Sequence, residues 1–441
     1  MRSSDKITIN IDFWKGTPET GGHYQDLCAR FRLKLRAMPF SVPYSFQPGL
    51  IPKLAAFPQV KDVYAKLTKD PVGGGRSSFT VRHAGPDMLK RAVAEAHACG
   101  IGFNYLLNAA GLYGLEQTRK GQKKIRRLLD AVAGAGVDSV TVSLPFLLSV
   151  VKKEHPRLKV KIGVFATIDS PAKARQWEQM GADELCVSAI ACNRNFALLQ
   201  KIRSSVRCGL QLIANASCLP NCAWEPTHMH LLTQSSRSDD GLDGFCFDYC
   251  FLHCSQTRLS DPVHYIRSVW IRPDDLGRYR TLGYENFKLV ERSCPSDLLL
   301  RRVEAYARGS FDGNLWELVA PIAAITGKQA APLSQRLRMV KTFMRPDFMR
   351  ISSVLRYKKY AETVLPVQFD RASAPVYIDN RALDGFIDDC ENHHCRNGAC
   401  NSCAVCRQWA QRAVTVNEEH RTAACAMAAG LERDLVNGTL W

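Results

Sequence analysis

Short apolar runs alternate with amphipathic segments along the chain from residue 7 to about residue 292. The apolar runs predict strands at Ile7–Asp12, Val63–Leu67, Gly102–Leu107, Ser139–Leu144, Val160–Ala166, Glu184–Ala189, Gly209–Ala214, Ser268–Ile271 and Asn286–Val290. The segments of helical period predict helices at Pro86–Cys99, Lys123–Ala135, Pro145–Glu154, Pro171–Met180, Asn195–Ser205 and Asp274–Leu282. Most of these begin near Pro, Asp or Asn and several end at Gly, as helix caps require.

A strand as apolar as Val160–Ala166 suits a parallel sheet covered on both faces. Repetition of strand and helix every ~25–35 residues gives a closed barrel or an open doubly wound sheet. Nine candidate strands are more than most open sheets carry, and no G-x-G-x-x-G turn follows the first. The pattern therefore predicts an α/β fold, a (β/α)8 TIM-like barrel. The loop at Gly73, Gly74, Gly75 and Arg76 could cradle an anion, but a lone glycine triplet is weak evidence for that and reads first as a flexible βα loop.

Beyond residue 300 the pattern turns helical, at Asp297–Arg308, Leu315–Ala323 and Pro332–Phe343. A strand-like segment at Val376–Asp379 then leads to a cysteine-rich stretch and a helical tail from about Arg407 to Leu435. The expected division is a barrel over residues 1–330 and a mainly helical, cysteine-rich C-terminal region over residues 331–441.

Composition adds two facts to this picture. The first is a formal charge of +17, with cations in small groups such as Lys120, Lys124 and Arg127, or Arg336, Arg338 and Lys341. Such charge favours encounter with polyanions, although no RNA-binding signature of aromatic and basic residues accompanies it. The second is 17 cysteines in a chain with no apolar run of membrane-spanning length and no signal peptide at Met1–Asp12. A cytoplasmic protein is expected, and thiols stay reduced there. Ten of the cysteines fall in two clusters, at 218–254 and 390–406, which reads as metal ligation. The others, at 28, 99, 186, 192, 208, 294 and 425, are dispersed, several of them within apolar runs as small core residues.

The first cluster follows a predicted strand directly. Cys218 and Cys222 form one C-x3-C pair and Cys250 and Cys254 a second, with Cys246 as a spare and His228, His230 and His253 nearby. Thiolates are soft ligands that suit iron–sulfur clusters or zinc, and structural zinc sites more often use C-x2-C spacing. Strand C-terminal ends carry the chemistry of parallel α/β barrels, and Cys218 lies just past one.

The stretch from Asn215 to Cys254 resembles the cysteine region of the peptidase U32, or collagenase-like protease, family. The likeness continues through Ser268–Leu276, Tyr279, Gly283, Phe287–Arg292, Ala305, Tyr306 and Gly313–Leu315, and again at Val376–Phe386. It covers most of residues 180–410, is strongest from 215 to 315 and is faint before residue 100, where the family's usual opening motif is absent. The resemblance implies a TIM-barrel core and a [4Fe-4S] cluster on Cys218, Cys222, Cys250 and Cys254. Cys246 departs from the family's usual count and is a rival ligand. It further implies a strand end at Arg272 and Asp275 as a weak catalytic candidate, Arg272 holding a carboxylate and Asp275 capping the next helix. Several members of this family act in oxygen-independent hydroxylation of ubiquinone precursors or of tRNA and rRNA bases.

The second cluster, C-x4-C-x4-C-x2-C-x2-C from Cys390 to Cys406, has Cys395, Cys400, Cys403 and Cys406 as candidate metal ligands and His393 and His394 between them. It suits a second iron–sulfur cluster or zinc. Three functions follow. One is an iron–sulfur hydroxylase or redox enzyme acting on a small-molecule or RNA substrate. Another is a peptidase, although neither H-E-x-x-H nor G-x-S-x-G is present. The third is a non-catalytic iron–sulfur protein that pairs with a partner subunit.

Overall fold

The computed structural model describes residues 38–239, 241–242, 244–322, 337, 340, 344–345, 348–365, 368–392, 395 and 403–441. The expected strand Ile7–Asp12, the group Arg336, Arg338 and Lys341, most of the helix Pro332–Phe343, and Cys28, His393, His394 and Cys400 lie outside the described residues.

Eight parallel strands close into a barrel in chain order: β1 Phe40–Pro43, β2 Val60–Ala65, β3 Gly102–Leu107, β4 Ser139–Val142, β5 Lys159–Ile162, β6 Glu184–Cys186, β7 Gly209–Ile213 and β8 Asn286–Lys288. The predicted barrel is borne out, with two corrections to its strands. Closure comes from β1, whose Phe40 pairs with Val60 on one side and Phe287 on the other. Prolines at 39 and 43 hide this strand in the sequence, because proline reads as a breaker. Here Pro43 stands at the strand's end, and all four residues are buried.

Ser268–Ile271, in turn, is no barrel strand. It runs beside the chain leaving β7, where Val269 N–H donates to the Cys218 carbonyl (3.0 Å) and Ile271 N–H to that of Ala214 (2.7 Å). Its apolar side chains are buried by this packing and not by a place in the sheet.

The barrel interior is partly polar. Lys161 on β5 pairs with Asp62 on β2 (2.6 Å), and Asn286 on β8 donates to Glu184 on β6 (2.7 Å). These strands are not neighbours, so the side chains meet inside the lumen. All carry buried partners, as interior polar groups require.

The outer helices follow their caps. Thr118 Oγ1 accepts from Gly121 N–H, which starts the helix at Arg119 instead of Lys123. The helix Leu315–Val319 stops short of the expected Ala323 because Pro321 holds Ala320 extended. The expected tail helix is split. Val414–Val416, between helices Val405–Ala413 and Glu418–Val436, forms a two-stranded antiparallel sheet with Val376–Ile378. The β-branched run at 414–416 favours the strand, and Asn417 recaps the chain on His420 N–H (2.9 Å).

The link from β7 to β8 carries helices Glu225–Gln234 and Tyr249–Ser260. Helices Ile351–Val364 and Glu418–Val436 pack on the latter through an apolar cluster of Leu252, Tyr360, Ala428 and Leu431. Tyr360 OH also lies 2.6 Å from Ser255 Oγ. The C-terminal helices thus hold in place the helix that bears Cys250 and Cys254.

Candidate functional site

The chain leaves β7 through Asn215, whose side chain donates to the Val290 and Leu318 carbonyls and accepts from Val290 N–H (2.7 Å). This fixes the exits of β7 and β8 side by side. Cys218 and Cys222 follow on a turn in which Asn221 adopts a left-handed φ of 50°. Cys250 and Cys254 sit one turn apart on a single helix face. All four thiols line one cavity of about 290 Å³ at the C-terminal mouth of the barrel. Cys246 does not line it; its thiol hydrogen-bonds to Ser235 instead.

Burial, and then Cys254, pushes Cys218 up to about 12; burial, and then the Asp248 carboxylate, pushes Cys250 up to about 12, and burial raises Cys222 as well. Cys218 keeps an exposed edge on the cavity, so its shift reflects dense surroundings more than full enclosure. A bound metal centre inverts this preference, since it ligates the thiolate. Arg258 is poised for that state. It is 2% exposed, donates to Cys254 Sγ (3.4 Å) and the Ser217 carbonyl (2.9 Å), and meets no carboxylate among the described residues. Burial works against the charge on Arg258, yet Cys254 outweighs it and raises the group. Among the described residues no three Cys, His, Asp or Glu side chains are grouped to hold a metal ion as they stand. A four-iron cube spaces its thiolates more widely than a single ion, whose Zn–S bonds are about 2.3 Å. The donor set, four thiols and a buried cation, fits an anionic cluster.

None of the three nearby histidines touches a thiol among the described contacts. His253 stacks on Trp224 (4.9 Å between centroids), and His230 meets Tyr113 OH at 3.0 Å. His228 lines the cavity with its Nε2 3.0 Å from Asp248 Oδ2. Burial pushes the Asp248 carboxyl up, but His228, Phe251 N–H (2.8 Å) and Arg76 outweigh it and hold it low. A fixed carboxylate orienting an imidazole is the arrangement of a general acid–base pair. Sequence reasoning missed Asp248, whose signal was its place as N-cap of the helix with Cys250.

The inner wall of the cavity is cationic. Lys288 (9% exposed) points into the lumen with Nζ 4.1 Å from the centre of the Tyr64 ring, and Arg292 is 7% exposed. Neither has a carboxylate partner among the described residues, because Glu291 takes Arg76 and Ser293 Oγ. Burial lowers Lys288 and brings Arg292 down to about 10. Beside them the buried Asn108 Oδ1 has no partner, and Glu291 carries a φ of 102°, a strain of about 1–3 kcal/mol. Lys288 and Arg292 therefore stand as two buried, uncompensated cations facing open space. In the glycine loop below, the backbone donors of Gly73 and Gly74 are already taken within the chain. Asp70 Oδ1 accepts from Val72 and Gly73 N–H, Ser236 Oγ accepts from Gly74 N–H, and a Cβ on Gly73 would lie 2.6 Å from Thr233 O.

Arg272 and Asp275 are outside the cavity. They form a buried two-point ion pair (2.9 Å at each contact), and Arg272 also donates to the Asn380 carbonyl (2.8 Å). The carboxylate that Arg272 holds is Asp275's own, so Asp275 makes no side-chain cap on the helix Leu276–Thr281. The pair ties the barrel rim to the C-terminal region and has no free group for catalysis. An Asp275→Asn substitution is expected to lower unfolding free energy by about 3–5 kcal/mol, since it strands a buried guanidinium. Chemical denaturation checks this; a loss under about 1 kcal/mol would show that Asp384 takes over the charge.

The second cysteine group is next to the first. Cys390, Cys395 and Cys406 interact at the end of helix Phe386–Asn392. Cys395 and Cys406 line a small cavity together with Pro220 and Asn221. Cys403 is half-buried, and Cys400 lies outside the described residues. Cys186, Cys192 and Cys294 are buried in the core, as their apolar contexts predicted.

Residues 60–212 match the family model of peptidase family U32. A relative named as an uncharacterized protease, MJ1657 of Methanocaldococcus jannaschii, is 28% identical over 346 residues, covering 78% of this chain and 86% of its own. The solved U32 peptidase Mk0906 aligns over 58% of this chain and 93% of its own, at 21% identity and a TM-score of 0.44. The resemblance to peptidase family U32 is borne out. The family match spans β2 to β7, earlier than the sequence reading placed the strongest likeness, and ends before Cys218.

Proposed function

We propose that this chain is an enzyme that holds a [4Fe-4S] cluster on Cys218, Cys222, Cys250 and Cys254 and carries out oxygen-independent hydroxylation or related redox chemistry on an anionic small molecule or an RNA base. One observation carries the reading: four thiols, a His–Asp pair and two uncompensated cations line the same cavity at the chemically competent end of the barrel. The cluster, when bound, would supply electron transfer or Lewis acidity, and a hydroxylation would draw its oxygen atom from water with two electrons passed to an external acceptor, or from a hydroxylated co-substrate that is reduced in the exchange. The chain's own residues do the rest. Lys288 and Arg292 bind and orient a negatively charged group. Asp248 keeps His228 turned towards the cavity, where its imidazole moves a proton to or from the bound substrate. Arg258 offsets the negative charge of the thiolates.

The relative named as a protease supports a second reading, a thiol peptidase. That chemistry needs a depressed thiol with a histidine at hand. Here Cys218, Cys222 and Cys250 are pushed up, and none of His228, His230 and His253 touches a thiol among the described contacts, which favours the redox reading.

The test compares RNA modifications and small metabolites between a strain lacking the chain and one carrying it, both grown without oxygen. A hydroxylated product is expected to disappear on deletion and return with the natural chain. His228→Asn is expected to restore it about 10²–10⁴ times more slowly, the usual worth of a positioned acid–base group. A product restored equally well by His228→Asn removes the acid–base role. Proteolysis that survives iron removal and stops on thiol alkylation overturns the redox reading.

A further inference from the structure

We infer that Cys390, Cys395 and Cys406, with Cys403 from the adjoining turn, form a second thiolate metal centre that braces the loop carrying Cys218 and Cys222. The inference stands whether or not the first site holds a cluster, because it rests on different residues.

Three parts of the chain converge here. Cys390 ends a buried helix face, and the Cys395 N–H donates to its carbonyl (2.9 Å). The thiols of Cys390 and Cys395 are hydrogen-bonded to each other, and Cys406 enters from the first turn of helix Val405–Ala413. Ordinary buried cysteines such as Cys192 and Cys294 sit singly among apolar side chains, as small hydrophobes do. A set of five cysteines within residues 390–406, three of them in mutual contact or near it, does not fit that role.

A second observation points to a negatively charged occupant. Arg194 lies over the adjoining rings of Trp270 (4.3 Å) and Phe386 (4.7 Å), and its charge is felt at Cys390. Its Nη atoms donate to the Ile266 and Ser268 carbonyls, its buried Nε has no partner, and it forms no ion pair among the described residues. Arg258 stands likewise beside Cys254 at the first site, there with a direct hydrogen bond to the sulfur. A half-buried cation beside thiols is compensated once those thiols become metal-bound thiolates.

Placement gives the centre its role. Cys395 and Cys406 share a cavity of about 40 Å³ with Pro220 and Asn221, the residues between Cys218 and Cys222. One face of that turn therefore lines the main cavity and the other faces the second thiol group. The turn carries the left-handed Asn221, a conformation that needs support from its surroundings. Helix Val405–Ala413 also packs on Val263–Arg267, and Arg407 pairs with Asp261 (2.7 Å). Loading a metal draws the thiols together and stiffens the wall behind the first two ligands.

The full chain, purified without oxygen, tests this through metal and sulfide analysis and hydrogen exchange. A Cys218→Ala/Cys222→Ala variant is expected to retain at least one metal equivalent, zinc alone or iron with sulfide, the two arms of the thiolate chemistry. Cys390→Ser/Cys406→Ser is expected to lose that same equivalent and to exchange amides of 218–222 at least tenfold faster. Mild chelation of the unmutated chain gives the same acceleration if the serine variant does not fold. Metal-free Cys218→Ala/Cys222→Ala protein overturns the centre. Unchanged exchange at 218–222 after the second metal is removed overturns the bracing role. Absence of iron from the first site leaves both results readable.

Discussion

A Cys250→Ala/Cys254→Ala protein purified without oxygen is expected to carry about four fewer irons per chain than its parent and to show no turnover above background. The two thiols share one helix face and supply half of the ligand set, so no cube can be held by the remainder. The helix itself survives the change. Alanine is the strongest helix former, and Leu252, Tyr360 and Leu431 hold the segment from the far side. Loss of metal and activity without loss of fold is therefore the expected signature, read by circular dichroism beside the iron and sulfide content. Cys246→Ala is the matched control, because its thiol faces Ser235 and not the cavity. Iron lost from the control and kept by the double variant would replace the ligand set. Zinc in place of iron in the parent would sink the cluster altogether.

That control would have been a coin-toss on sequence alone, where Cys246 and its neighbours differ only in spacing. The legible part of this fold was whatever apolar pattern dictates. Strands β3 to β7 announced themselves because parallel strands are covered on both faces, and helices such as Pro145–Glu154 were marked by their own proline and charge pattern. Strand β1 was hidden by its prolines, and Ser268–Ile271 imitated a strand because burial by a loop gives the same apolar signature. The thiols of the site were legible since four cysteines in two pairs have few other uses. Its charges were not. Lys288, Arg292 and Arg272 look alike in the sequence, yet two face the cavity and one is consumed by Asp275. Only the closure of the barrel decides which side a charge faces, and whether a carboxylate from a distant strand reaches it first.

The two cavity cations give the sharpest test of whether the site was shaped for a ligand. A buried charge without a partner lowers stability, so a residue retained only for the fold would not be kept in that state. Arg292→Met keeps the length of the side chain and removes the charge. It is expected to raise unfolding free energy by about 1–4 kcal/mol, and to weaken binding of succinate or inorganic phosphate, used as probes, by roughly 30-fold to 1,000-fold. A structural arginine would do the reverse and lose stability with no effect on binding. Lys288 adds a pH signature. Burial lowers its pKa, so the folded protein releases this proton before the unfolded chain does. Between those two values the unfolded state binds more protons, and stability rises with pH while anion affinity falls. Lys288→Arg is expected to move the alkaline loss of affinity to higher pH, because guanidinium keeps its charge. Calorimetric titration across that range, with thermal unfolding on the same samples, reads both quantities. Affinity that is flat with pH in the parent, or lost equally with stability in Arg292→Met, would leave these cations without a ligand to bind.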